Sequence, residues 1–131
     1  MKLRKIASYG AVVSCALLFG LSAVAEDRIE QVWSCTLNEG KTLEELNAAQ
    51  TAWVTWANKQ SYGGDIRGYV SQTIIGSDVS AVYLIDSYPD MATFAADAEA
   101  YATEEGQELE EGYNVVSNCT SSALFFIMES G

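Results

Sequence analysis

Few residues of this chain have a type and spacing suited to chemistry, and histidine is absent altogether. Without an imidazole there is no Ser-His-Asp or Cys-His nucleophile, no imidazole zinc site and no proximal-His haem. Cys35 and Cys119 lie 84 positions apart. That spacing is unlike the C-x-x-C of a redox centre, and an even pair in an exported chain reads as one structural disulfide. Serines and threonines have no neighbouring base, and no glycine-rich phosphate loop occurs. Glu104, Glu105, Glu108, Glu110 and Glu111 concentrate carboxylates, but they lack the Asp/Asn/Gly pattern of a calcium loop and read as a solvated helix face. Asn118-Cys119-Thr120 fits a glycosylation sequon only weakly, because its central cysteine belongs to the bridge. Arg67 either orients an anionic or phenolic ligand or pairs with one of the 18 acidic residues, and the ion pair is the favoured reading. No catalytic group, metal site or cofactor site is legible.

The expected compartment follows from the first 25 residues. Lys2, Arg4 and Lys5 precede an apolar stretch from Ala11 to Leu21, and Ala23-Val24-Ala25 offers the small residues a signal peptidase reads. Cleavage after Ala25 is expected, giving a periplasmic or secreted domain over 26–131. The alternatives are an uncleaved anchor and a lipoprotein attached through Cys15. The first is weakened by Tyr9, Gly10, Ser14, Gly20 and Ser22, the second by an apolar run that mostly follows the cysteine. Cleavage removes three of the seven basic residues and none of the acidic ones, leaving four against 18 and a net charge of −14. Nucleic acid and an anionic membrane surface are therefore not expected partners, since both are bound through Lys and Arg.

The elements that would position any site can be read from periodicity. Arg28 to Leu37 alternates as a first strand, with Ile29, Trp33, Cys35 and Leu37 on one side. Thr42 and Glu45 form a capping box for a helix to about Asn58 or Lys59, with Leu43, Leu46, Trp53, Val54 and Ala57 at helical spacing. Ile66 to Ile75 and Val79 to Tyr88 read as strands joined by a tight Gly76-Ser77-Asp78 turn. Pro89 stops the third strand, and Asp90 caps a second helix whose regular part ends near Gly106. Gln107 to Gly112 adds about a helical turn, and Cys119 to Met128 is the last strand.

The order β-α-β-β-α-β is the ferredoxin-like split βαβ pattern: an α+β fold with a four-stranded antiparallel sheet and two helices on one face. In that topology the first and last strands are antiparallel neighbours, which brings Cys35 beside Cys119. The other sheet face is left bare. Strand four is apolar on both sides, and strand three adds Ala81, Tyr83 and Ile85, so a second copy is expected to cover this face as a homodimer.

This element order, the aromatic strands and the Tyr88-Pro89-Asp90 entry into the second helix resemble the dimeric α+β barrel superfamily, which includes antibiotic-biosynthesis-monooxygenase-like domains. The likeness spans Arg28 to about Met128 and rests on pattern rather than on a signature motif. It implies a pocket between helices and sheet, which in some members serves cofactor-independent oxygenation of an aromatic substrate. Trp33, Trp53, Trp56, Asn58, Tyr62, Arg67, Tyr69 and Tyr83 are the residues available to line such a cleft, although none aligns with the family's catalytic positions. Core packing is the favoured reading of Trp33 and Trp53, and capping and turn formation that of Asn58 and Tyr62. The expected function is non-catalytic binding of a small aromatic or apolar ligand or of a protein partner. The alternatives are a cofactor-independent monooxygenase-like enzyme and a structural or regulatory periplasmic dimer.

Overall fold

Alternating apolar residues form β1 over Arg28–Leu37, and Gly40, at φ 75°, turns the chain into α1, Leu43–Lys59. The Thr42–Glu45 capping box is complete: Thr42 Oγ1 accepts from the Glu45 amide, and Glu45 Oε2 accepts from the Thr42 amide. Strands β2, Arg67–Gln72, and β3, Ala81–Tyr88, follow, then helices α2, Met91–Tyr101, and α3, Glu104–Val116. Strand β4, Ser117–Ile127, completes the sheet, which is antiparallel throughout in the order β2-β3-β1-β4. This computed structural model describes residues 26–130. The signal segment expected over 1–25 lies outside the described residues.

The α+β ferredoxin-like expectation holds, with three differences. There are three helices rather than two. Thr103 starts a new helix after Tyr101, and Gly106 lies buried inside that helix instead of ending the previous one. A Cβ on Gly106 would run into the Tyr101 carbonyl, so glycine here permits the tight α2–α3 joint. The β2–β3 connection is also longer than the expected tight turn. Residues 73–80 lie outside both strands, and Ile74, Ile75 and Val79 point into solvent.

Cys35 and Cys119 are direct cross-strand partners and are joined by a disulfide. Beside them the register shifts, because Ser34 pairs with Ser121 and Thr120 has no opposite residue. The bulge lets the cysteines face the helices while the rest of β4 keeps its alternation. One apolar cluster, Ile29, Trp53, Ala57, Ile66 and Tyr88, packs α1 onto the sheet, and a second gathers Cys35, Leu46, Val82, Leu84 and Val116. Gly68 lets α1 press against β2, since an added Cβ would lie 2.6 Å from Val54 Cγ2.

Cross-strand partners share a sheet face, so the register assigns Val32, Tyr69, Tyr83, Ile85, Ala123 and Phe125 to the side away from the helices. This face is apolar at its centre, and Tyr69 and Phe125 are exposed. Its polar edge is organised by the buried Arg28, whose guanidinium donates to Ser87 Oγ at 2.7 Å and to Asp65 Oδ2 at 2.8 Å.

Candidate functional site

A cavity of about 390 Å³ opens between the helices and the sheet. Strands β1 and β3 and all three helices supply most of its lining. From β1 and β3 come Trp33, Leu84, Asp86 and Tyr88, from α1 Gln50 and Trp53, from α2 Phe94 and Asp97, and from α3 Glu110 and Tyr113. Its walls are aromatic, and among the described residues its charged groups are all acidic, with no Lys or Arg in the lining.

Two desolvated carboxylates lie at its base. Asp86 accepts from Trp33 Nε1 at 3.0 Å and from Gln50 Nε2 at 2.8 Å. Asp97, 4% exposed, accepts from the hydroxyls of Tyr62 at 2.9 Å and Tyr88 at 3.0 Å. Every donor is neutral. Desolvation therefore dominates, and with the Asp97 charge nearby it pushes the Asp86 carboxyl up to about 6 against the bonds from Gln50 and Trp33. Burial likewise raises Asp97, and burial beside these carboxylates holds the Tyr88 and Tyr113 phenols neutral. Tyr113 donates to Gln50 Oε1 at 2.6 Å, which fixes the amide so that its nitrogen faces Asp86. A carboxylate titrating near neutrality can accept a proton from a bound molecule or balance a positive charge.

Of the residues singled out from sequence, Trp33 and Trp53 line this cavity. The others lie elsewhere, each for a local reason. Trp56 faces α3, where its indole donates to Glu105 Oε2 at 2.9 Å and packs edge-on against Tyr101. Asn58 ties the turn after α1: its Oδ1 accepts from the amides of Gly64 and Ile66, and its Nδ2 donates to the Ile66 carbonyl. Tyr62 stands behind the cavity and reaches it only through its bond to Asp97. Arg67, Tyr69 and Tyr83 belong to the opposite sheet face, where Arg67 pairs with Asp65 at 2.9 Å and Glu26 at 3.2 Å. The ion-pair reading of Arg67 is the one observed. The acidic run of α3 is exposed, with Glu110 reaching the cavity and Glu105 holding Trp56.

Sequence reasoning missed Asp86, Asp97 and Gln50. The signal was present: Asp86 continues the inward set Val82, Leu84, Tyr88, Asp97 falls among Phe94, Ala98 and Tyr101, and Gln50 follows Leu46 by four. A polar residue at an inward position of an apolar stripe is the mark of a buried site.

Solved structures with this fold are known. SnoaB from Streptomyces nogalater, a cofactor-independent oxygenase, is similar at a TM-score of 0.57 and 13% identity, over 79% of this chain and 96% of that one. A conserved protein of unknown function from Bacteroides thetaiotaomicron, a possible oxidoreductase, is similar at 0.53 and 12% identity, over 79% and 100%. These structures share the α+β ferredoxin-like fold of this chain. No family model and no curated protein matches the sequence. Among the described residues no helix is long and apolar enough to cross a membrane, and no group of three or more acidic or cysteine ligands is placed to hold a metal ion.

Proposed function

We propose that this protein is an exported binding domain whose helix–sheet cavity takes a small aromatic or apolar molecule. The observation that carries the reading is the cavity itself: about 390 Å³, walled by Trp33, Trp53, Tyr88, Phe94, Tyr101 and Tyr113 in a domain of about 100 residues. Aromatic surface left in water inside an open cavity favours a ligand that covers it. The disulfide fits an oxidising compartment. Calorimetric titration with tryptophol tests the reading. One molecule is expected to bind per chain, and Ala98→Trp, which places an indole in the cavity, is expected to abolish binding. Equal binding by both proteins would refute it.

The domain works in this reading as a homodimer. The open sheet face carries Val32, Tyr69, Tyr83, Ile85 and Phe125, and Glu30 is its only acidic strand residue among those described, so two copies meet there with little charge repulsion. Light scattering at micromolar concentration is expected to give twice the chain mass. A single-chain mass would refute the pairing.

A second reading is cofactor-independent oxygenation of an electron-rich aromatic substrate. Its support is Asp86, a carboxyl titrating at about 6 beside the Trp33 indole and thus suited to act as a base near neutrality, in a fold shared with an oxygenase. Oxygen uptake on adding an anthrone or hydroquinone, lost in Asp86→Asn, favours this reading. No uptake leaves binding alone.

A further inference from the structure

We infer that the molecule suited to this cavity is an organic cation: an arylalkylammonium with a flat apolar body and one positive head. The inference rests on the binding reading and names its ligand class.

The charges of the cavity are one-sided. Asp86, Asp97 and Glu110 line it, and no cation among the described residues does. The four basic residues after position 25 are engaged or distant. Arg28 and Arg67 hold Asp65 on the other side of the sheet, Lys41 pairs with Glu45 at 3.2 Å, and Lys59 lies exposed at the end of α1. Buried carboxylates are normally matched by a cation, and neutral hydrogen-bond donors offset only part of the desolvation cost. Asp86 and Asp97 have only neutral donors. A ligand ammonium would supply the missing charge.

The walls favour the same class. Aromatic faces attract a cation through the ring quadrupole, and most strongly where water is excluded. Trp33, Trp53 and Tyr88 stand on the same lining as the two carboxylates. The combination selects against the alternatives. An anion would meet three carboxylates, and a neutral aromatic would leave the carboxylates as costly as before.

Three indoles of nearly equal shape separate the possibilities: tryptamine, cationic; tryptophol, neutral; and indole-3-acetate, anionic. Calorimetry near pH 7.5 is expected to show tryptamine binding at least about tenfold tighter than tryptophol, with indole-3-acetate weakest. In Asp86→Asn the tryptamine-to-tryptophol ratio is expected to fall about fivefold or more. Because that variant alters the Gln50 and Trp33 bonds, wild-type protein provides a second measurement. As Asp86, its carboxyl pushed up to about 6, takes up a proton beside Asp97 and Glu110, the ratio is expected to fall toward about pH 5, while the phenols of Tyr88, Tyr101 and Tyr113 stay neutral throughout. Tryptophol binding as tightly as tryptamine, or a ratio unchanged with pH, would overturn the cation inference and leave the binding reading standing. Failure of all three probes to bind would overturn both.

Discussion

The Trp33 indole donates to Asp86 Oδ2 at 3.0 Å, joining the neighbouring strands β1 and β3 on the cavity side of the sheet. A carboxylate between two inward-facing strands is desolvated, and the indole supplies a bond without supplying a charge. That is why Asp86 keeps a carboxyl pushed up to about 6 despite two good donors.

This relationship sets a pH dependence with a definite sign. Between 3.8, the ordinary value, and about 6, the folded chain holds a proton that the unfolded chain has released. The contribution of Asp86 to stability is therefore fully present below pH 3.8 and is lost as pH rises through about 6, by about 3 kcal/mol. Asp97 acts in the same direction, whereas Asp65, Asp78 and Asp90, held low by their hydrogen bonds, act in the opposite one. Urea unfolding of wild type and Asp86→Asn isolates the effect. The variant is expected to gain stability relative to wild type as pH rises from about 4 to about 7. A constant difference between the two would show that Asp86 titrates normally.

The Cys35–Cys119 bridge closes a loop of 84 positions in a small domain. Constraining so long a loop in the unfolded chain is worth about 4 to 5 kcal/mol on the loop-entropy model. Reduction, or the double change Cys35→Ala and Cys119→Ala, is expected to lower the unfolding midpoint sharply. Thiol titration of the unfolded, unreduced 26–131 chain should find no free thiol.

Gly106 makes the α2–α3 joint, and any Cβ there meets the Tyr101 carbonyl. Gly106→Ala is expected to cost about 1 to 3 kcal/mol, an overpacking penalty that outweighs alanine's better helix propensity. Gly112→Ala, in the same helix with open space around it, is the control and is expected to stabilise slightly. Thermal unfolding of the two variants distinguishes the joint from a general glycine effect.

The elements with strong periodic or capping signals were legible in the sequence. The alternation of β1, the Thr42–Glu45 box, the Asp90 cap and the cysteine pairing all correspond to the structure, because each depends on neighbours in the chain or on strand order alone. The α2–α3 break was not legible, since it depends on how Gly106 meets Tyr101 in space. The cavity was legible only in part. Trp33 and Trp53 were readable as inward-facing aromatics, but residue type alone does not distinguish Arg67 and Tyr83 on the outer sheet face from residues facing the helices. Asp86 and Asp97 were hidden by the general rule that carboxylates belong outside, which sites of this kind break.

The tryptophan indoles provide the most direct measurement of the central claim. Trp33 and Trp53 line the cavity, while Trp56 is turned away and bonded to Glu105. In a titration of ¹⁵N-labelled protein with tryptophol or tryptamine, the Nε1–H signals of Trp33 and Trp53 are expected to shift in a saturable way while that of Trp56 stays in place. Movement of Trp56 alone, or no saturable shift at Trp33 and Trp53, would place any binding outside the cavity and refute its role as the site.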